Sequence, residues 1–190
     1  MLLGQEISIY LVRLIDDNLT QLKKLNDDIF SRQYSDRYYA DALASGELTK
    51  LAYHNYTCVG AIACRCEKKE DGAVRVYIMT LGVLAPYRRL GIGTRLMNHV
   101  LDLSSKENIS EVYLHVVADN GDAINFYKKF GFEKTETIGN YYRSSESGVK
   151  DGYVFTKRLV IVKEQEVPEG KDANTDKKCE TSSALLKLKR

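Results

Sequence analysis

APYRRLGIG, residues 85–93, sets two arginines and two glycines between an apolar, strand-like run ending at Val83 and a helical pattern beginning near Ile92. A strand, a glycine-containing turn and a helix start leave several amide N–H groups unpaired at the positively polarised end of the helix. Gly91 and Gly93 let the backbone approach a ligand without an intervening Cβ, and the guanidiniums of Arg88 and Arg89 suit phosphate oxygens. The corner reads as an anion cradle, with a pyrophosphate as its natural guest. Its spacing differs from the GxGxxG dinucleotide fingerprint, and no Lys-Ser/Thr follows the last glycine as in a nucleotide-triphosphate loop. An ordinary solvated turn would use the same residues; the flanking strand and helix favour the anion site.

Outward from this corner the chain reads as one α/β unit. Downstream, Leu96, Met97, Val100 and Leu103 lie at helical spacing in residues 94–106, followed by a strand over 111–117, a helix over 122–130 closed by Gly131, and strands over 132–142 and 152–162. Upstream, three strands over 49–53, 58–67 and 74–83 form a meander. Before them, Ile7, Ile9 and Leu11 alternate as in a strand, and Asp17 and Asn18 can cap a helix with Leu19, Leu22, Leu25 and Ile29 on its apolar face. A break at residues 30–34 leads to a short helix from Asp36, ended by Gly46. Residues 1–162 are predicted to form one domain, and residues 163–190, charged and polar, a mobile tail.

Composition narrows the function classes. With 190 residues, 44% hydrophobic and two prolines, the chain suits a single globular domain. A formal charge of +2 is too mild to argue for direct nucleic-acid binding or an acidic membrane face. There is no apolar run of the roughly 20 residues a membrane span needs, and the opening MLLGQEISIY lacks the layout of a secretion signal, so a cytoplasmic or nuclear location is expected. Four cysteines and three histidines make no CxxC pair and no zinc pattern, so no metal is expected; Cys58, Cys64 and Cys66 read as reduced core residues.

Arg88-x-x-Gly91-x-Gly93 between strand and helix resembles the acetyl-CoA pyrophosphate loop of the GNAT acetyltransferases, and Asn120 with AINFYKKFGF, residues 123–132, resembles their second shared segment. LAYHNYTCVGAIACR, RVYIMTLGVLAPYRRLGIGT, VYLHV and NFYKKFGFE, in that order, are similar to the NatE-type N-terminal acetyltransferases from about the first strand to Tyr142. The resemblance implies the GNAT acyl-CoA N-acyltransferase fold, a mixed, mostly antiparallel sheet with helices on both faces. It also implies acetyl-CoA as cosubstrate, with contacts from Leu81, Val83, Arg88, Arg89, Gly91, Ile92, Gly93, Thr94, Asn120, Tyr127 and Lys129.

Acetyl transfer from a thioester to an amine requires a neutral amine, a donor for the developing oxyanion and a proton for the leaving thiolate. An α-amino group has a pKa of roughly 7.7–8.0, against about 10.4 for lysine, so a modest base suffices for N-terminal substrates. The period of two puts Tyr77, Met79 and Leu81 on one face of their strand, and Tyr113, His115 and Val117 on one face of theirs. Standing alone, Tyr77 and His115 also read as satisfied sheet and core residues. The resemblance implies that they share a cleft and act through an ordered water as general base. It places the Tyr127 hydroxyl near the thioester sulfur, where the plain alternative is a packing tyrosine. The Leu81 N–H is the candidate oxyanion donor, and Leu81 and Val83 would hold the pantetheine arm like an added strand.

For the peptide, the resemblance implies Phe30, Arg32, Tyr34, Met79, Tyr141 and Tyr142. NatE-type enzymes carry Phe-Pro-Val-x-Tyr where this chain has Phe30-Ser31-Arg32-Gln33-Tyr34, and an isoleucine where the register gives Ser145. An apolar pocket for a first-residue methionine has turned polar at three positions, which removes roughly ten- to a hundredfold of discrimination. Specificity is expected to be shifted or broadened. If Arg32 points inward it favours an acidic residue near the N-terminus; if outward, only affinity suffers. Expected partners are protein N-terminal peptides and, by the resemblance, a NatA-type complex at the ribosome. The alternative function is a weakly active acetyl-CoA-binding subunit that docks to such a complex.

Overall fold

The computed structural model describes residues 7–30, 32–144 and 148–160. The tail predicted from residue 163 lies outside them, as do Ser31 and Ser145. In chain order the elements are β1 (Tyr10–Arg13), α1 (Leu19–Phe30), α2 (Asp36–Ala44), β2 (Lys50–His54), β3 (Thr57–Lys68), β4 (Val74–Val83), α3 (Ile92–Lys106), β5 (Glu111–Val117), α4 (Gly121–Lys129), β6 (Glu133–Ser144) and β7 (Gly148–Arg158). One seven-stranded sheet runs β1-β2-β3-β4-β5-β7-β6. Only β4 and β5 pair in parallel, so the sheet is mixed and mostly antiparallel as expected.

Period-two side chains divide the core between the two faces. On one face Val76, Ile78, Val112 and Leu114 meet Ile92, Leu96, Met97 and Val100 of α3, with α4 beside them. On the other, Leu51, Ala61 and Ala63 meet Leu22 and Leu25 of α1 and Tyr38, Tyr39 and Ala42 of α2.

Several boundaries differ from the sequence reading. The cap of α2 is Ser35, whose hydroxyl accepts from Tyr38 N at 3.4 Å, and Asp36 is the first helical residue. β7 begins at Gly148 and ends at Arg158, where a run over 152–162 was predicted. Its first residues pair with the outer end of β6, from Ser144↔Gly148 to Tyr142↔Lys150, where Gly148, Val149, Lys150 and Asp151 carry no apolar alternation. β1 starts at Tyr10 rather than Ile7, and as an edge strand is largely exposed. Cys58 and Cys64 are buried, but Cys66 is exposed.

The largest departure lies within β4. Cys64 pairs with Ile78 and Ala63 with Thr80, so Met79 is an extra residue in the ladder, a β-bulge. The bulge resets the alternation. Tyr77 and Met79 face the α1 and α2 side, and Thr80 faces it too, bonding Tyr38 at 2.6 Å, while Leu81 and Val83 pack in the core on the α3 side. The expectation that Tyr77, Met79 and Leu81 share one face is therefore corrected.

Candidate active site

β4 and β5 part at the middle of the sheet. Their parallel pairing runs from Arg75↔Glu111 to Ile78↔Leu114 and stops there. Beyond it β4 stays with β3 as far as Gly60↔Val83, and β5 stays with β7 as far as Val117↔Gly152. A wedge opens between them. Leu84 N donates to Val59 O at 2.9 Å, so the alternation turns the backbone groups of Leu81 and Val83 away from β3 and into the wedge. Arg88 Nε donates to Val83 O at 3.0 Å, fastening the arginine to the strand end.

The corner after β4 is a left-handed turn. Arg89 has φ 65° and Gly91 φ 78°, and Gly91 is the N-cap of α3 with no side chain to satisfy the helix start. A Cβ on Gly91 would meet nothing within 4 Å, so glycine is required there by its dihedral and not by space. Arg95 N donates the first intrahelical bond, to Gly91 O at 3.0 Å, which leaves the N–H groups of Ile92, Gly93 and Thr94 ahead of the ladder. Buried Ile92 anchors the turn while Thr94 is exposed, and a Cβ on Gly93 would sit 3.6 Å from Phe126 of α4. At the end of β5, Asn120 caps α4 by accepting from Ala123 N at 3.1 Å. Lys129 is exposed in the last turn of α4, at the far end from Asn120. An open helix start and open strand edges together fit a diphosphate followed by an amide-bearing arm.

Tyr77 and His115 meet where the strands part, with the Tyr77 hydroxyl 3.1 Å from His115 Nδ1. The imidazole tautomer sets which of the two donates. Tyr77 lies between Tyr113, stacked at 4.9 Å, and the Arg65 guanidinium, 5.1 Å from its ring centre. His115 lies nearly parallel to Tyr141 at 4.7 Å. Burial lowers the His115 pKa below its ordinary value, against the opposing pull of Glu136 and Glu67. Burial, then the neighbouring Tyr141, Tyr142 and Tyr113, raises that of Tyr77. At neutral pH the pair is an uncharged imidazole against an intact phenol.

Tyr127 is half-buried on α4, edge-on to Phe126 and Phe132, and burial pushes its pKa up to about 12. It keeps its proton at neutral pH.

Beside the dyad, between α2, β4 and the outer parts of β6, is a cavity of about 330 Å³. Of the predicted peptide residues, Arg32, Tyr34, Met79, Tyr141 and Tyr142 line it. Phe30 does not: it packs edge-on to Tyr34 at 6.2 Å and fills the space over Gly82, where a Cβ would come within 2.9 Å of its ring. Arg32 is exposed on the rim, its guanidinium 5.6 Å from the Tyr34 ring centre.

Sequence reasoning missed Tyr38, Arg37, Asp41 and Arg65 on the same wall. Tyr38, bonded to Thr80 and accepting from Asn26 at 3.3 Å, ties both helices to β4 beside the bulge. Arg65 is held by Glu67 and stands 3.5 Å from Asp41. Glu67 also accepts from Tyr113 at 2.8 Å and from Arg75 at 2.9 Å. Burial opposes ionisation of Glu67, but the bonds from Arg65 and Tyr113 and the charges of Arg65 and Arg75 outweigh it and hold the carboxyl below its ordinary range. The one local signal for this network was the alternation of Arg65, Glu67, Arg75 and Tyr113 on facing strands.

Among the described residues, no group of three or more His, Cys, Asp or Glu could hold a metal ion, and no helix is long and apolar enough to cross a membrane.

Comparison with known proteins agrees with this fold. The model of the acetyltransferase (GNAT) family matches residues 15–132. The chain is 51% identical over 143 residues to N-alpha-acetyltransferase 50 of Danio rerio, covering 75% of this chain and 83% of that protein. It is 48% identical, also over 143 residues, to the probable N-acetyltransferase san of Drosophila melanogaster, covering 75% and 76%. The solved structure of Arabidopsis thaliana Naa50 in complex with the bisubstrate analogue CoA-Ac-MVNAL superposes with a TM-score of 0.75 at 62% identity, covering 80% of this chain and 100% of that one.

Proposed function

The chain belongs to the acetyltransferase (GNAT) family, and from that footing we propose that it transfers the acetyl group of acetyl-CoA to the α-amine at the N-terminus of proteins. The observation that carries the reading is the Tyr77–His115 contact at the point where β4 and β5 part. One relative is named N-alpha-acetyltransferase 50 and another a probable N-acetyltransferase, and Arabidopsis Naa50 was solved with the bisubstrate analogue CoA-Ac-MVNAL.

The coenzyme brings an acetyl group activated as a thioester; the chain's own residues supply the rest. The N–H groups of Ile92, Gly93 and Thr94, with Arg88 and Arg89, suit its diphosphate. The open edge of Leu81 and the Val83 N–H suit its arm, and the Leu81 N–H is available to the carbonyl oxygen on which charge develops. An α-amine is already partly neutral near pH 7, and the uncharged Tyr77–His115 pair takes its remaining proton, directly or through a water. Tyr127, which keeps its proton, is the donor toward the departing sulfur. Direct attack by the amine needs no covalent nucleophile.

Relative to the NatE pattern, Ser31, Arg32 and Ser145 replace apolar residues, and the cavity rim carries Arg32. A preference for N-terminal methionine is accordingly shifted or broadened. Work in the cytosol or nucleus, docked on a NatA-type complex at the ribosome, is proposed on resemblance alone.

Mass spectrometry after incubation with acetyl-CoA tests the reading. A peptide with a free N-terminus and an internal lysine gains one acetyl group, on the α-amine, and the same peptide with a formylated N-terminus gains none. Acetylation confined to the lysine, or absent from every free N-terminus tried, would contradict it.

A further inference from the structure

Resting on that reading, we infer that the peptide cavity favours N-termini carrying a carboxylate on one of their first two side chains, and that Arg32 is the residue that reads it. The cavity wall presents three guanidiniums, Arg32, Arg37 and Arg65, against one carboxylate, Asp41. These charges are unequally committed. Arg65 is bound through Nε and Nη2 to Glu67, lies against the face of Tyr77, and has Asp41 Oδ2 at 3.5 Å. The same Asp41 oxygen stands 4.0 Å from Arg37 Nε, so one carboxylate oxygen is shared between two arginines. Arg32 has no carboxylate partner among the described residues, and its guanidinium has only the Tyr34 ring beneath it, at 5.6 Å. Its charge also reaches Tyr142 in the cavity wall, where it works against the rise that burial imposes on that phenol.

A wall with this surplus of positive charge meets an incoming lysine or arginine side chain with repulsion. It meets a carboxylate with one planar fork that no carboxylate among the described residues engages, suited to a two-point pair. The guanidinium is exposed, so the preference is modest and sensitive to salt.

The test uses isosteric peptide pairs, Asp against Asn and Glu against Gln, placed at the first or the second residue of an otherwise fixed sequence. The acid-to-amide ratio of kcat/KM is compared within each enzyme, so a general loss of activity in a variant cancels. For the wild type the ratio is expected to be roughly three to ten at one of the two positions in low salt, shrinking toward one as salt is raised. In Arg32→Gln it falls to about one, and in Arg32→Glu below one. A wild-type ratio of one at both positions, or a ratio that Arg32→Gln leaves intact, would overturn the inference while leaving N-terminal acetylation standing. Failure of every peptide, amide forms included, would remove the functional reading and this inference with it.

Discussion

The proposed coenzyme end and the proposed peptide end of the wedge are made of different material. At the first the groups on offer are backbone: unpaired amides at the start of α3, the open edge of Leu81 and the Val83 N–H, shaped by the left-handed turn at Arg89 and Gly91. At the peptide end they are side chains, with Tyr34, Tyr77, Tyr141 and Tyr142 around a cavity edged by arginines. A backbone site depends on dihedrals and on close approach of strands, and it tolerates many side chains. A side-chain site keeps its backbone and changes its ligand by substitution. On the proposed reading, the first sets what class of cosubstrate binds, while the second decides which acceptor is taken.

The most severe way to break the comparison is at the coenzyme end. Gly91→Glu puts a Cβ at φ 78° and a negative charge against the helix start. CoA affinity measured by calorimetry should fall by roughly ten- to a hundredfold. Binding of an N-terminal peptide should stay within about twofold, and an equal loss for both ligands would show that the two ends are not separate.

Next in size is Gly60→Ala. A Cβ there would come within 2.9 Å of the Gly82 carbonyl and 3.2 Å of Val83, prying β3 from β4 just where β4 turns its edge to the wedge. We expect a loss of about 1–3 kcal/mol in chemical denaturation, with weakened CoA binding in the folded fraction.

A smaller effect sharpens the peptide end. Tyr38→Phe leaves the Thr80 hydroxyl and Asn26 without their partner, at a cost of about 1 kcal/mol. Because Tyr38 holds α2 on the cavity wall, the KM for peptide should rise while the affinity for CoA is kept; a rise in both would argue against this placement.

The smallest expected effect concerns pH. His115 must be neutral to accept a proton, and its pKa lies below the ordinary 6.5 because burial disfavours the cation. The acid limb of activity at saturating substrates is therefore expected to have its midpoint below pH 6.5. Glu136 opposes the shift, so Glu136→Gln moves the acid limb lower still. A limb above pH 6.5 would argue against an imidazole in this setting as the base.

The same contrast explains what was legible in the sequence. The corner at 85–93 could be read because glycine and a strand-to-helix switch are local signals for a left-handed, open backbone. β4 and β5 were read to their observed ends, since strands buried on one or both faces keep a clear pattern. That Tyr113 and His115 share a face followed from period two, but the contact of His115 with Tyr77 also needed β4 and β5 to be neighbours, which came from resemblance. The bulge at Met79 has no glycine or other local mark, so nothing in the sequence showed that Leu81 would leave the Tyr77 face. Tyr38, Asp41 and Arg65 join the site only because α2 lies across β3 and β4, a tertiary fact. Phe30 was expected in the pocket; the missing Cβ of Gly82 lets it settle behind the wall instead.

The most direct test of the account is the rate of acetyl transfer in a single turnover, with acetyl-CoA and an N-terminal peptide both saturating, for the wild type and for a Tyr77→Phe, His115→Ala double variant. Removal of the proton acceptor should slow the double variant by at least about a hundredfold. Equal rates would contradict the claim that the phenol and imidazole brought together by the parting strands carry out the chemistry.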